Sequence, residues 1–418
     1  MRGRSWLIAL FMGLVSVFAA AHLSFGAGFA LYEGSARGNA LGGGLVGRAD
    51  DPSALFYNPA GMTQLEGTQA QAGVTFIMPG TTVVTHGTIS PPSTNTISTD
   101  TEDNIWIPPS AYLTYQFSDK LWFGLGTFSR FGLGTEFSED WPGRFDNYKA
   151  VIETFSINPN VAVKLTDKLS AAVGIEIMYF DLTWDRKVFI ASGLPEVDSS
   201  LKGDSFGYGF NVALHYKACE YASLGASYRS QVKQKVEGDV KFSDNPFGLA
   251  DTDAEGSIVL PDELFFGLTV YPMPRLSLEF GVVWTHWSTF DQLTVAFDEP
   301  VGGRSSITVP KEWNDAWRYN VSVEYKLLDW LDLRAGYTFD ESPILSEHAD
   351  YLVPANDRHL FSVGPGFHWN KWTLDLSYTY LHIIDREDVP ARLNEGVLAS
   401  DFEDGSTHLV GISVGYKF

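Results

Sequence analysis

Cysteine is almost missing from this chain: Cys219 is the only one among 418 residues. An intrachain disulfide and a cysteine-based metal cluster are therefore excluded. Charge is scarce as well, at 19% of residues, and what there is leans acidic, with a formal net charge of −22. Nucleic-acid binding calls for a basic face, and this composition denies one. Beyond the first two dozen residues no apolar run is long enough to cross a membrane as a helix, which takes about 20 residues. Gly-x-Ser-x-Gly, His-Glu-x-x-His and P-loop spacings are absent, and the 9 histidines are scattered. No enzyme chemistry, cofactor or metal is expected. The nearest candidates for a hydrolase at a barrel rim are His348 and His359, with no partner spacing to support them.

What is present points elsewhere. Arg2 and Arg4 precede an apolar run from Trp6 to Ala21, with Ser24 and Gly26 at the −3 and −1 positions of a cut before Ala27. That is the layout of a secretory signal peptide over residues 1–26. Its removal takes two arginines and no acid, moving the formal charge from −22 to −24. Glycine (40), phenylalanine (29), tyrosine (18) and tryptophan (12) are plentiful, a mix favoured by closed antiparallel membrane barrels with aromatic girdles.

The last ten residues set the pattern. Val410, Ile412, Val414, Tyr416 and Phe418 fall on one face of a strand; Gly411, Ser413, Gly415 and Lys417 fall on the other. A terminal strand of a soluble sandwich would share this alternation, but a barrel's closing strand ends on an aromatic in the same way. From residue 68 onward one rhythm repeats. Six tight polar turns are expected at 117–121, 165–169, 216–221, 271–276, 327–331 and 369–372. Longer loops rich in Gly, Pro, Asp, Ser and Thr are expected near 80–106, 132–150, 187–203, 241–257, 294–314, 341–356 and 386–405. Thirteen connections join fourteen strands. The predicted fold is all-β: a 14-stranded antiparallel transmembrane barrel over 68–418, both ends facing the periplasm. Charged residues in these strands alternate with apolar ones, so they must point inward and need partners there.

Residues 27–67 break the rhythm. They carry Gly42-Gly43-Gly44, Asp51-Pro52 and Asn58-Pro59-Ala60-Gly61, which read as short helices and tight turns. The stretch is either a solvated leader or a plug; a barrel of this size has room for one.

At this point the chain resembles the FadL family, outer-membrane transporters of long-chain fatty acids and related hydrophobic compounds. The resemblance rests on Ala27-Gly28-Phe29, Asn58-Pro59-Ala60, Gly132-Leu133-Gly134-Thr135-Glu136-Phe137, Leu260-Pro261-Asp262-Glu263, Trp287-Ser288-Thr289-Phe290, Asp315-Ala316-Trp317-Arg318, Phe339-Asp340-Glu341-Ser342-Pro343, Pro354 and Asp357-Arg358, in this order. It implies a fourteen-stranded barrel closed by an N-terminal hatch, an apolar pocket for the ligand, and sideways release through a gap in the wall. The partners implied are hydrophobic small molecules, fatty acids or hydrocarbons, with outer-membrane lipid and lipopolysaccharide around a monomer. Aromatic hydrocarbons or alkanes are an alternative ligand class, and a general porin is a further alternative function.

The fifth strand is the most informative for a site. Leu169, Ala171, Val173, Ile175, Ile177 and Tyr179 form one face, taken as outward. The inner face then carries Met178, Phe180, Leu182, Trp184 and Arg186: an apolar stripe ending in a cation, matching a fatty acid's tail and carboxylate. The alternative is that the stripe packs against loops and Arg186 pairs with Asp185 or Glu196. By resemblance Phe29 is a movable stopper, or else an ordinary packing aromatic. Asn58, Pro59 and Ala60 fix a hatch turn. Gly132 and Gly134 mark a bend of the third strand away from its neighbour, or a plain loop. Asp315, Arg318, Asp340, Asp357 and Arg358 form a candidate inward charge network locking hatch and loops. The acidic loops read as solvated surface; they could recruit divalent cations beside lipopolysaccharide, though no ligand spacing marks a site.

Overall fold

The structure, a computed structural model, describes residues 28–418. The expected signal peptide, 1–26, lies outside the described residues, as does Ala27. Twenty-one hydrogen-bonded segments form one sheet, and they assemble into a closed antiparallel barrel of fourteen wall strands. The first six are β1 (Thr68–Thr88), β2 (Pro109–Ser118), β3 (Leu121–Phe128, resuming at Gly132–Glu136), β4 (Lys149–Lys164), β5 (Leu169–Val188) and β6 (Val197–Cys219). Next come β7 (Ala222–Arg229 and Val232–Ser243), β8 (Thr252–Leu260 and Glu263–Met273), β9 (Leu276–Thr285 and Gln292–Val301) and β10 (Arg304–Pro310 and Ala316–Leu328). The last four are β11 (Leu331–Asp340), β12 (Arg358–Trp369), β13 (Trp372–Ile383) and β14 (Ser400–Lys417). β14 closes the ring on β1 from Gln69↔Lys417 to Thr85↔Ser400, which pairs the two terminal strands that would otherwise be edges.

All six expected turns fall between consecutive strands, at one end of the barrel. At the other end most of the expected long loops are shorter than predicted, the one expected at 341–356 keeping its length between Asp340 and Arg358. β1 runs on to Thr88 and pairs with an extra strand, Ser93–Asp100, and β5 and β6 stay paired to Val188↔Val197. Once a hairpin leaves the membrane, its ladder hydrogen bonds continue to satisfy the backbone, so strands extend into stretches whose polar composition reads as loop.

The alternation predicted for the faces is observed. Val173, Ile175, Val410, Ile412 and Val414 are exposed on the outside, while Asp332, Arg334, Asp340, Glu324 and Asp375 are buried within. Aromatics ring both ends of the apolar band, among them Trp330, Trp369 and Trp372 near the turns and Phe206, Tyr208 and Tyr337 toward the loops. A charge at mid-depth on the outer face would cost about 2–4 kcal/mol, which explains why Glu324, Arg334 and Asp375 point inward, while outward charges such as Lys233 and Lys235 stand on the strand extensions beyond the apolar band.

The segment from Gly28 to Leu65 is almost wholly buried and packs against the inner faces of the wall. It folds as α1 (Ala36–Ala40), α2 (Ala54–Tyr57) and a 3-10 turn, Pro59–Gln64. Three charged side chains and their partners fasten it. Arg37 bridges Asp50 (2.7 Å) and Asp51 (3.0 Å) to Glu324 of β10 (2.8 Å), which in turn meets Arg334 (2.7 Å) and, through it, Asp375. Glu279 of β9 accepts the backbone N–H groups of Val46 (2.8 Å), Gly47 (3.1 Å) and Arg48 (2.8 Å). Arg229 of β7 donates to the α2 carbonyls of Leu55 (2.6 Å) and Phe56 (2.8 Å). The wall makes room at Gly225, where any Cβ would collide with the Val46 carbonyl and the Asn58 amide.

Candidate functional site

Five wall strands are interrupted, and the breaks bring together what regular alternation would keep apart. The break in β3 supplies Phe131, the break in β9 supplies Trp287 and Phe290, and the break in β10 supplies Trp313. Their rings surround Phe29, with centroids at 6.2, 4.7, 6.0 and 5.8 Å respectively, all edge-to-face. Such contacts add about 0.5–1.5 kcal/mol apiece beyond area burial. Phe29 is 4% exposed. It is held in place by two backbone hydrogen bonds between its segment and β3: Leu31 N–H to Arg130 O (2.7 Å) and Gly132 N–H to Phe29 O (3.0 Å).

On one side of Phe29 lies an apolar cavity of about 60 Å³. Phe180, Leu182 and Trp184 line it, as the parity of β5 predicts, together with Leu133, Ile152, Val236, Ile258, Phe290, Leu293 and Trp313. Ligand pockets usually measure about 300–1,000 Å³, so this one is closed down by its own side chains. Its polar lining includes Lys311, 2% exposed and paired with Asp350. Above it Asp146 accepts the Tyr351 N–H (3.0 Å) with its carboxylate and the Trp184 indole N–H (2.9 Å) with its carbonyl. Burial, joined by the negative charge of Asp350 and opposed by Lys311, pushes the Asp146 carboxyl up to about 8.

On the other side of Phe29 lies a cavity of about 630 Å³. Its lining runs from the buried Phe29 and Tyr32 to Ile107 and Phe155, which are exposed on the outer face. The reason is a gap in the wall. β2 and β3 stay paired up to Ala111↔Thr127. After Phe128 the chain turns inward and resumes at Gly132–Glu136, paired only with β4. Toward residues 101–108 one backbone hydrogen bond remains among the described residues, Glu102 N–H to Glu136 O (2.8 Å). Gly134 lies against the Trp106 indole so closely that no Cβ fits, and at Gly132 a Cβ would press on Leu31.

The other sequence candidates divide. Met178 is fully buried but lies outside the lining of either cavity. Arg186 likewise lines neither; its guanidinium sits 5.0 Å from the Trp184 ring, and no carboxylate among the described residues is within ion-pair distance of it. The alternative partner Glu196 is taken by Arg144 (2.5 Å). Asn58 caps the 3-10 turn by accepting the Ala60 N–H (3.2 Å) and donates to Val46 O (2.9 Å) and Leu214 O (3.1 Å), with Pro59 as the first residue of the turn. Arg318, Asp340 and Arg358 do meet, both arginines at 2.8 Å from Asp340, and Arg318 also covers the Tyr32 ring at 4.4 Å. Asp357 accepts the Ser342 N–H (3.2 Å). Asp315 stands apart, accepting the Ser288 N–H (3.2 Å). His359 is on the outer wall against the Tyr337 hydroxyl (2.9 Å), and His348 faces Glu312 (3.6 Å) in a loop.

Sequence reasoning missed Lys311, Trp313 and Trp106, which stand in strand breaks or connections where no period marks them. It also passed over Arg130, Glu176 and Arg229, which form a fully buried cluster with Glu263, quoted above only for the resemblance, Arg130 lying 2.8 Å from both acids. Here a signal existed: Glu176 is the one acid in Leu169–Phe180 and has inward parity.

Three kinds of comparison bear on this geometry. The profile of a family described as outer membrane protein transport protein (OMPP1/FadL/TodX) matches residues 17–418. A long-chain fatty acid transport protein of Escherichia coli O6:H1 is 26% identical, with 98% of each chain covered; outer membrane protein P1 of Haemophilus influenzae is 23% identical, over 94% of this chain and 95% of its own. Among solved structures, a Pseudomonas aeruginosa FadL homologue superposes with a TM-score of 0.83 at 20% identity, covering 94% of this chain and all of its own. The Pseudomonas putida toluene transporter TodX superposes with a TM-score of 0.71 at 16% identity, over 93% and 99%.

Proposed function

Because the chain belongs to the OMPP1/FadL/TodX family of outer membrane transport proteins, we propose that it takes up long-chain fatty acids or related hydrophobic molecules. The ligand is captured in the apolar cavity beside Phe29 and released passively and sideways through the gap between β3 and residues 101–108. The observation that carries this reading is that Phe29 lines both cavities. Withdrawing one side chain joins a closed apolar pocket to a passage that reaches the outer face.

The physics favours a sideways exit. Hydrating a fatty tail costs about 0.8 kcal/mol per methylene, on the order of 10 kcal/mol for a tail of about sixteen. A water-filled lumen would impose that cost, whereas a passage from an apolar cavity to lipid avoids it. Residues 28–67 then serve as the hatch that stops the aqueous route, held by Arg37, Glu279 and Arg229. Phe29 is the stopper, and Asn58, Pro59 and Ala60 pin the hatch turn. Gly132 and Gly134 allow the bend of β3, and Arg318, Asp340 and Arg358 brace it from the opposite wall. Phe180, Leu182 and Trp184 hold the tail, with Met178 packed behind them. A carboxylate head lies at the Lys311 end of the cavity, where a cation can pair with it, and Arg186 adds positive charge from beyond the Trp184 ring.

Relatives are named for fatty acids and for toluene, and the cations above favour an acid here. Growth tests this. A strain lacking its own transporter, complemented with this chain, is expected to grow on oleate and poorly on toluene. Growth on toluene alone would make hydrocarbons the ligand, and growth on neither would refute uptake of both.

A further inference from the structure

Trp106 is placed in the wall gap by its neighbours. Its backbone pairs with Ile77 through two hydrogen bonds, 2.9 and 2.8 Å, and opposite residues of an antiparallel pair share a face. Ile105 and Ile107 beside it are 59% and 50% exposed on the outside, so Trp106 turns inward and lies across Gly134 of the bent β3 segment. It is the side chain that fills the interval where the ladder is missing.

The indole also carries a donor without a partner. Three buried tryptophans elsewhere donate to carbonyls, Trp122 to Leu65 O (2.8 Å), Trp141 to Asn147 O (2.8 Å) and Trp184 to Asp146 O (2.9 Å), whereas Trp287 beside Phe29 shares the unpaired state. The Trp106 Nε1–H is sealed from solvent and meets no acceptor. A buried donor left unpaired is destabilising, and a phenylalanine of similar shape would avoid it.

We infer that Trp106 is the shutter of the side passage, and that when it swings its indole N–H donates to the oxygen-bearing head of an amphipathic ligand passing the gap. This deepens the uptake reading above and rests on it. Trp106 is then a specificity residue: it favours molecules with an acceptor at one end over plain hydrocarbons of equal length.

The test uses the full chain in a strain without its own transporter. Initial import of labelled oleate and of labelled hexadecane is measured for wild type, Trp106→Phe and Trp106→Ala, or Trp106→Leu where alanine does not fold. Rates are normalised to folded barrel by heat-modifiable gel mobility. Trp106→Phe keeps the ring and removes the donor; the half-saturating oleate concentration should rise about tenfold while hexadecane import is unchanged. Trp106→Ala should raise hexadecane import severalfold by leaving the gap open. Unchanged oleate half-saturation in Trp106→Phe, or an equal change for both probes, overturns the donor role. Hexadecane import unchanged or lowered in the small-residue variant overturns the shutter. Import of neither probe by wild type refutes the uptake reading itself, and this inference with it.

Discussion

Truncating Glu279 should loosen the inner segment without harming the wall. Its carboxylate is fully buried and accepts three consecutive backbone N–H groups, Val46, Gly47 and Arg48, plus the Thr269 hydroxyl at 2.6 Å. The Arg48 guanidinium lies 3.5 Å away. Glu279→Ala leaves three backbone N–H groups and the Thr269 hydroxyl without this acceptor, and Arg48 without its counter-charge. Breaking a buried pair by removing one partner costs about 3–5 kcal/mol, and at about 1.4 kcal/mol per factor of ten docking of residues 44–50 weakens between about a hundredfold and a few thousandfold. β9 keeps its ladder with β10 from Leu276↔Tyr325 to Thr285↔Ala316, so the barrel itself should survive. Amide hydrogen exchange in detergent micelles reads the result directly: residues 44–50 should exchange faster by that factor while β9 stays protected. Glu279→Gln, which retains one acceptor oxygen, should fall between. Protection of residues 44–50 within tenfold of wild type in Glu279→Ala would refute the claim that this carboxylate anchors the segment.

Other expectations follow from the same geometry. Phe29→Ala empties the centre of an aromatic cluster; a buried Phe→Ala change costs about 3–5 kcal/mol, and the N-terminal residues should undock from β3, raising ligand release while weakening capture, measured by oleate binding and dissociation. Lys311→Met and Arg186→Glu should each weaken binding of oleate much more than of a neutral alkane, by competition in micelles; equal losses for both ligands would remove that residue from the head-group role. Burial pushes the Asp146 carboxyl up to about 8 in the fold, from an ordinary value of 3.8. The folded state thus holds its proton more tightly than the unfolded one. The group's contribution is most favourable below about pH 4 and is lost as pH rises from there through about 8. Exchange protection of the Tyr351 amide should decline between pH 5 and pH 9 in wild type and stay level in Asp146→Asn.

The wall was legible because alternation is a local rule. Val173, Ile175 and Ile177 can be assigned outward, and Phe180, Leu182 and Trp184 inward, from parity alone, and the polar turns count the strands. The site was legible only where it rides on an unbroken strand. Trp287, Phe290, Trp313 and Phe131 meet around Phe29 because β3, β9 and β10 are interrupted, and parity is undefined across a break. Lys311 follows the first half of β10 at such a break, so its approach to the apolar cavity is a long-range fact. Arg186 shows the opposite limit: it has the expected parity, yet the wall carries it past the cavity onto the Trp184 ring. Parity gives the face and not the depth. The extra length of β1, β5 and β6 was hidden for a third reason, since backbone pairing above the membrane does not require apolar side chains.

The central claim is that greasy molecules cross this wall while the lumen stays shut to water and ions. The most direct measurement pairs two readings on one preparation: oleate import by cells expressing the full chain, and ionic current through the same purified protein in a planar bilayer. The account predicts import with no steady conductance. A large, stable conductance accompanying import would contradict it and make the protein a pore.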